Sequence, residues 1–164
     1  MKIEPPALHQ LRAAEGWLEL GNCPEAELEL GMLDPKFSKH PDVMELRWRI
    51  CAQKQLWLDC IDLGHELVRS APEQVQSWIH RSFALHELKR TEEACRYLTE
   101  AAGLFPDHWL VSYNLACYEC QLGHFGLART WLAKSIASGE PAAIKSLALT
   151  DPDLKPLSLD PSQM

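Results

Sequence analysis

The feature that most constrains this chain is a period. Shifted against itself by 34 residues, the sequence brings Ala26 over Cys60, Ala94 and Ala128, and Leu33 over Leu67, Ala101 and Ser135. The same register sets Trp17 over Cys51 and Leu85, Leu98 over Leu132, Pro72 over Pro106 and, three periods apart, Gly21 over Gly123. A fixed period of this size marks copies of one supersecondary unit, each unable to bury its apolar face alone, so the copies must stack on their sequence neighbours.

Within a copy the apolar and small residues return every three or four positions, as in Trp78, Ser82, Leu85 and again in Ala94, Leu98, Ala101, which is helical spacing twice over. Each copy is therefore a helical hairpin. Gly21 and Gly123 suit left-handed helix caps, Pro24 suits a first helical turn, and Ala71-Pro72-Glu73 and Phe105-Pro106-Asp107 separate successive hairpins. The expected helices are 6–19, 24–34, 41–54, 57–70, 75–88, 91–103, 109–121 and 125–137, with a shorter one near 141–149 beginning at Pro141. This organises residues 1–154 as one helical-repeat domain, with repeats of about 7–40, 41–74, 75–108 and 109–140 and a cap at 141–154. Leu147, Leu149 and Leu154 are expected to cover the last hairpin, and the Pro- and Ser-rich stretch 155–164 is expected to lack fixed structure.

These residues resemble the tetratricopeptide repeat (TPR), with Trp78, Ala94, Ala101 and Pro106 at the family's spacing and Leu115, Ala116, Gly123, Ala128 and Leu132 in the next copy. The resemblance covers about residues 7–140 and implies an all-α fold: a right-handed α-solenoid of about four TPR-like hairpins with a C-terminal capping helix. Some positions depart from the family pattern. Trp48 stands where a small residue is usual, Glu119 stands in the slot of a packed aromatic, and Arg47 and Arg81 take the place of a first-helix Leu.

The family's first helices line a concave groove that receives an extended peptide or a helix. Propagating one inward stripe by the period gives Leu8, Leu11 and Glu15, then Asp42, Glu45 and Arg49, then Gln76, Ile79, Phe83 and His86, then Leu110, Tyr113, Cys117 and Cys120, with His80 and Asn114 flanking it. The expected partner-binding residues are Arg49, Gln76, Ile79, His80, Phe83, Leu110, Tyr113, Asn114 and Cys117. Apolar anchors there supply affinity and the polar groups fix register. The plain alternative is that Phe83 and Tyr113 pack against neighbouring helices, or that the chain's own terminus fills the groove.

With 16 basic and 23 acidic residues the chain carries a formal charge of −7, which on average repels a phosphate backbone, so nucleic acid is not an expected partner. No segment approaches the roughly 18 apolar residues of a membrane span, and the start resembles no signal peptide, so membrane association is not expected and a cytoplasmic location is. Phosphate-loop, nucleophile-elbow and dinucleotide-binding patterns are lacking, hence no enzyme, metal or cofactor is expected. The expected function is a protein-protein interaction module, a scaffold or adaptor. The alternatives are a self-assembly module forming a homo-oligomer, or a thiol or metal protein using Cys117 and Cys120, which lie mid-helix where no helix dipole lowers a thiol pKa.

Overall fold

The computed structural model describes residues 3–159. Its helices are α1 (Ala7–Glu19), α2 (Cys23–Gly31), α3 (Pro41–Gln53), α4 (Trp57–Ser70), α5 (Val75–Glu87), α6 (Thr91–Leu104), α7 (Trp109–Gln121), α8 (Phe125–Ser138) and α9 (Pro141–Thr150). Two 3₁₀ segments, Pro35–Phe37 and Pro152–Leu157, complete the elements, and no strand occurs among the described residues. The expected class, an all-α array of TPR-like helical hairpins, is the class observed. The chain forms two compact units, Met1–Ala84 and Leu85–Met164.

Four turns join the helices within hairpins, and all four are the same turn. The N–H groups of Gly21, Gln55, Lys89 and Gly123 each bond back three residues, and those of the following Asn22, Leu56, Arg90 and His124 bond back five. That paired closure of a helix C-terminus requires a left-handed residue at its first position. The φ angles there are 76° at Gly21, 57° at Gln55, 62° at Lys89 and 81° at Gly123. Asn22 then caps α2, its side chain accepting from the Glu25 N–H at 3.3 Å.

In the first unit the small residues of the second helices, Ala26 and Cys60, have no exposed surface, and α1, α3 and their partners close over them with Leu18, Leu30, Val43 and Ile50. Helix α2 stops at Gly31, three residues short of the expected end. Asp34 instead caps the first 3₁₀ segment by accepting from the Lys36 N–H at 3.0 Å, and this seats Phe37 in the core. The unusual Trp48 is accommodated by stacking on His80, with ring centroids 3.9 Å apart. Arg81 is accommodated by Gly64: a Cβ at Gly64 would stand 2.8 Å from the Arg81 Cα, so only a glycine allows α4 and α5 to meet there. The Arg81 guanidinium lies over the Trp78 ring, 5.1 Å from its centroid.

In the second unit Ala94, Leu98, Ala101, Leu115, Ala116 and Ala128 are fully buried between α6, α7 and α8. Leu147 and Leu149 of α9, expected to cover the last hairpin, are exposed, and the buried residues of that helix are instead Ile144 and Ala148, one turn apart on one face. Residues 155–157, expected in an unstructured tail, continue the C-terminal 3₁₀ segment, with Leu154 and Leu157 buried. Residues 160–164 of that tail lie outside the described residues.

The four equivalent turns give a direct test. A non-glycine residue in the left-handed region costs about 1 kcal/mol or more, partly offset because glycine gains freedom in the unfolded chain. Gln55→Gly and Lys89→Gly should each stabilise the chain by about 0.5–1 kcal/mol. Gly21→Ala and Gly123→Ala should each cost about 1 kcal/mol, since a Cβ at either meets no atom within 4 Å and only the backbone objects. Urea unfolding of the four variants reads these differences.

Candidate functional site

In the first unit, α1 and α3 present one face each at helical spacing. Leu8, Leu11, Arg12 and Glu15 from α1, with Asp42, Glu45, Leu46 and Arg49 from α3, line a depression of about 300 Å³. Its floor is apolar, with Leu46 buried and Leu8 and Leu11 half-buried, and its rim is charged. Arg49 Nη1 donates to Glu15 Oε1 at 2.9 Å. The His80 imidazole, with Nε2 3.9 Å from Glu45 Oε1, holds the Glu45 carboxyl below its ordinary range, against the opposing effect of burial. That charge pattern is mixed, which suits a partner chosen by complementarity more than by net charge.

On α5, Gln76 is exposed and Phe83 is 37% exposed, the latter set edge-on to Trp48 and Trp57 with centroids at 6.4 and 5.8 Å. Ile79 and His80, expected in the same stripe, are buried instead. Residues 77–82 are buried without a break, so this stretch of α5 has no exposed side and a single outward stripe cannot run through it.

In the second unit the expected stripe is covered by the chain itself. Leu110 and Asn114 remain partly exposed, but Tyr113 and Cys117 are 3% and 5% exposed, beneath the strap formed by Asp151 and the 3₁₀ segment Pro152–Leu157. The Tyr113 hydroxyl donates to Asp151 Oδ2 at 2.8 Å, and the Cys117 thiol points at the same oxygen from 3.7 Å. His86 Nε2 hydrogen-bonds to Asp153 Oδ2 at 3.1 Å, and its Nδ1 lies 3.0 Å from the Thr91 hydroxyl oxygen. Gln121 Nε2 donates to the Asp153 carbonyl and Arg129 Nη2 to that of Leu157, at 2.8 and 2.7 Å. Tyr113 and Cys117 are thus anchors of an internal contact and not open groove residues. The reason is covalent reach: the occupant begins 38 positions after Tyr113.

Burial dominates the chemistry of the thiols. Cys60 and Cys95 are pushed up to about 12, Cys60 by desolvation and Cys95 by desolvation and then by its hydrogen bond to Glu119. Cys117 is raised by burial and then by the neighbouring negative charge of Asp151 and Asp153. Cys51 and Cys120 are also raised, again chiefly by burial. The sulfur of Cys117 and carboxylate oxygens of Asp151 and Asp153 lie within 4.8 Å of one another, but both carboxylates already accept hydrogen bonds from Tyr113 and His86. Cys120 is not in that group. Glu119 survives in an aromatic slot because both oxygens are satisfied, one by the Cys95 thiol at 3.2 Å and one by His124 Nδ1 at 2.7 Å.

No family model matches the sequence, and no curated protein matches it. Solved structures do match the fold. Residues 41 to the end of MamA from Desulfovibrio magneticus RS-1 superpose with a TM-score of 0.73 at 12% identity, covering 96% of this chain and 92% of that one. YrrB, described as a TPR protein with an unusual peptide-binding site, superposes with a TM-score of 0.66 at 12% identity, covering 93% of this chain and 83% of that one. The chain therefore has a TPR-like fold.

A thiol at about 12 is ionised to roughly one part in ten thousand at pH 8, against about a quarter for an ordinary cysteine. In the native chain Cys60 and Cys95 should react with a disulfide reagent roughly a thousandfold more slowly than a free thiol, Cys117 should be slowed as well, and all three should react normally once unfolded. Mass-spectrometric mapping of labelled cysteines over time reads this; rapid labelling of Cys117 would mean that the strap does not cover it.

Proposed function

We propose that the chain is a non-catalytic interaction module, a scaffold or adaptor, whose docking surface is the α1/α3 face together with Gln76 and Phe83. The observation that carries this reading is the combination on that face of a leucine floor with a charged rim. Apolar anchors that become desolvated only under a partner provide affinity, while Arg12, Glu15, Asp42, Glu45 and Arg49 offer both signs of charge for fixing register. The TPR-like fold supports the reading, since the matched YrrB is described as having a peptide-binding site. The partner class is another protein, met as a peptide or helix. No helix among the described residues is long and apolar enough to cross a membrane, and the acidic net charge favours a protein partner over nucleic acid.

A second reading has its own observation. Leu28 on α2 and Met32 just past its end are 61% and 58% exposed and border an open depression with Pro24, Glu27 and Gly31. Two copies meeting through that surface would make the chain a self-assembly module. Light scattering across concentration separates this from a monomeric adaptor.

The primary test compares proteins retained by the immobilised chain with those retained by Leu11→Asp, Phe83→Ala and Arg49→Glu. Leu11→Asp and Phe83→Ala should lower affinity for the retained partner about tenfold or more, the loss typical of an anchor worth over 1 kcal/mol. Arg49→Glu should change which partners are retained, because it breaks the pair with Glu15 and leaves like charges side by side. Equal retention by all three, with unchanged melting temperatures, would remove this face as the docking surface.

A further inference from the structure

The strap in the second unit is held in a manner that a covering segment does not require. Leu154 and Leu157, three residues apart, fall on one side of a 3₁₀ helix and are each almost wholly buried. Those two leucines pack into a segment that lies against α7. Yet the strap also brings two carboxylates and two backbone carbonyls to four dedicated donors: Tyr113 on Asp151, His86 on Asp153, Gln121 on the Asp153 carbonyl and Arg129 on the Leu157 carbonyl. These donors come from three helices and read the segment's polar groups in order along its length. Apolar anchors combined with polar groups that set register describe the recognition of a peptide.

The same segment is poorly equipped to hold itself. It is six residues of 3₁₀ helix, tied to α9 at one end, and its Asp151 and Asp153 carboxylates are close enough for their charges to repel. Short terminal elements of this kind open locally at far less cost than global unfolding. A resident ligand on a short tether nevertheless competes at an effective concentration in the millimolar range, so it masks its site from external ligands.

We infer that the face of α7 carrying Tyr113 and Cys117, with His86, Gln121 and Arg129 beside it, is a peptide site occupied in cis by residues 151–157. The external ligand it fits is a partner segment of the same chemistry: two acidic residues two apart, followed by two leucines three apart. The strap keeps that site closed until such a segment displaces it. This goes beyond the α1/α3 docking surface and is read with a different probe, so either can fail without the other.

The probe is a fluorescent peptide spanning residues 150–159. Against the full chain it should bind weakly. Against the full chain carrying Leu154→Asp and Leu157→Asp, whose strap can no longer seat, it should bind at least about tenfold more tightly, because the competent fraction of the site rises. A peptide with Asp151→Asn and Asp153→Asn should lose most of that gain. A folded double variant that binds no better than the parent overturns the inference. Should the double variant fail to fold, hydrogen exchange of the unmodified chain decides. With excess peptide the amides of 154–158 should lose protection while those of α7 keep it, and unchanged protection at the highest soluble peptide concentration overturns the inference. A concentration-dependent dimer of the unmodified chain would assign the external occupant to a second copy's strap and overturn its assignment to a partner.

Discussion

Each hairpin depends on one small side chain at the same place in the repeat. Ala26, Cys60, Ala94 and Ala128 stand one period apart, each in a second helix, and none has any exposed surface. A small side chain at that place lets the helices of a hairpin approach closely enough for the larger residues around it to interdigitate. Where a larger residue intrudes elsewhere, a neighbour gives way: Trp48 takes a stacking partner in His80, and Arg81 takes the space left by the missing side chain of Gly64. The repeat therefore tolerates departures from its pattern as long as that one position remains small. A methyl added at Gly64 has no such freedom, because the atom it meets belongs to the backbone of α5.

The hairpins were legible in the sequence because their determinants are local. Helical spacing, Pro at the start of α3 and α9, and Gly in two of the four turns place most helix ends within a residue or two of those observed. The other two turns show the limit of that reading: Gln55 and Lys89 carry the same left-handed backbone with no compositional mark, and only their register with Gly21 and Gly123 points to it. Along α2 the helical pattern outruns the helix, since the Asp34 cap of the next segment competes for residues the pattern would extend through.

The candidate site was less legible, and for a physical reason. Whether a residue on a first helix faces solvent depends on what else reaches that face, and a single stripe carried by periodicity contains no information about coverage. Phe83 and Gln76 remain accessible as the stripe implies, whereas Ile79 and His80, on the same helix, do not. Tyr113 and Cys117 sit at stripe positions too, but their environment is set by Asp151, far along the chain. A signal was present in Asp151-Pro152, which reads as a cap and first turn, followed by Leu154 and Leu157 at a spacing that suits one face of a short helix.

Asp151 links the formation of that short helix to its docking. One carboxylate oxygen accepts from the Asp153 N–H at 2.9 Å, which initiates the 3₁₀ segment, and the other accepts from the Tyr113 hydroxyl. In an undocked strap the second oxygen returns to water and nothing orients the side chain for the first bond. In a docked strap Tyr113 fixes the rotamer that caps the helix, and the helix in turn places Leu154 and Leu157 on the side facing α7. Local structure and contact are thereby formed together or not at all, which is how a segment of six residues reaches a defined conformation without a hydrophobic core of its own. The coupling also confers selectivity on the face it covers. A segment with leucines at the right spacing but no leading carboxylate would leave the buried Tyr113 hydroxyl unsatisfied, and that penalty of about 1–3 kcal/mol is what separates a recognised ligand from a merely apolar one.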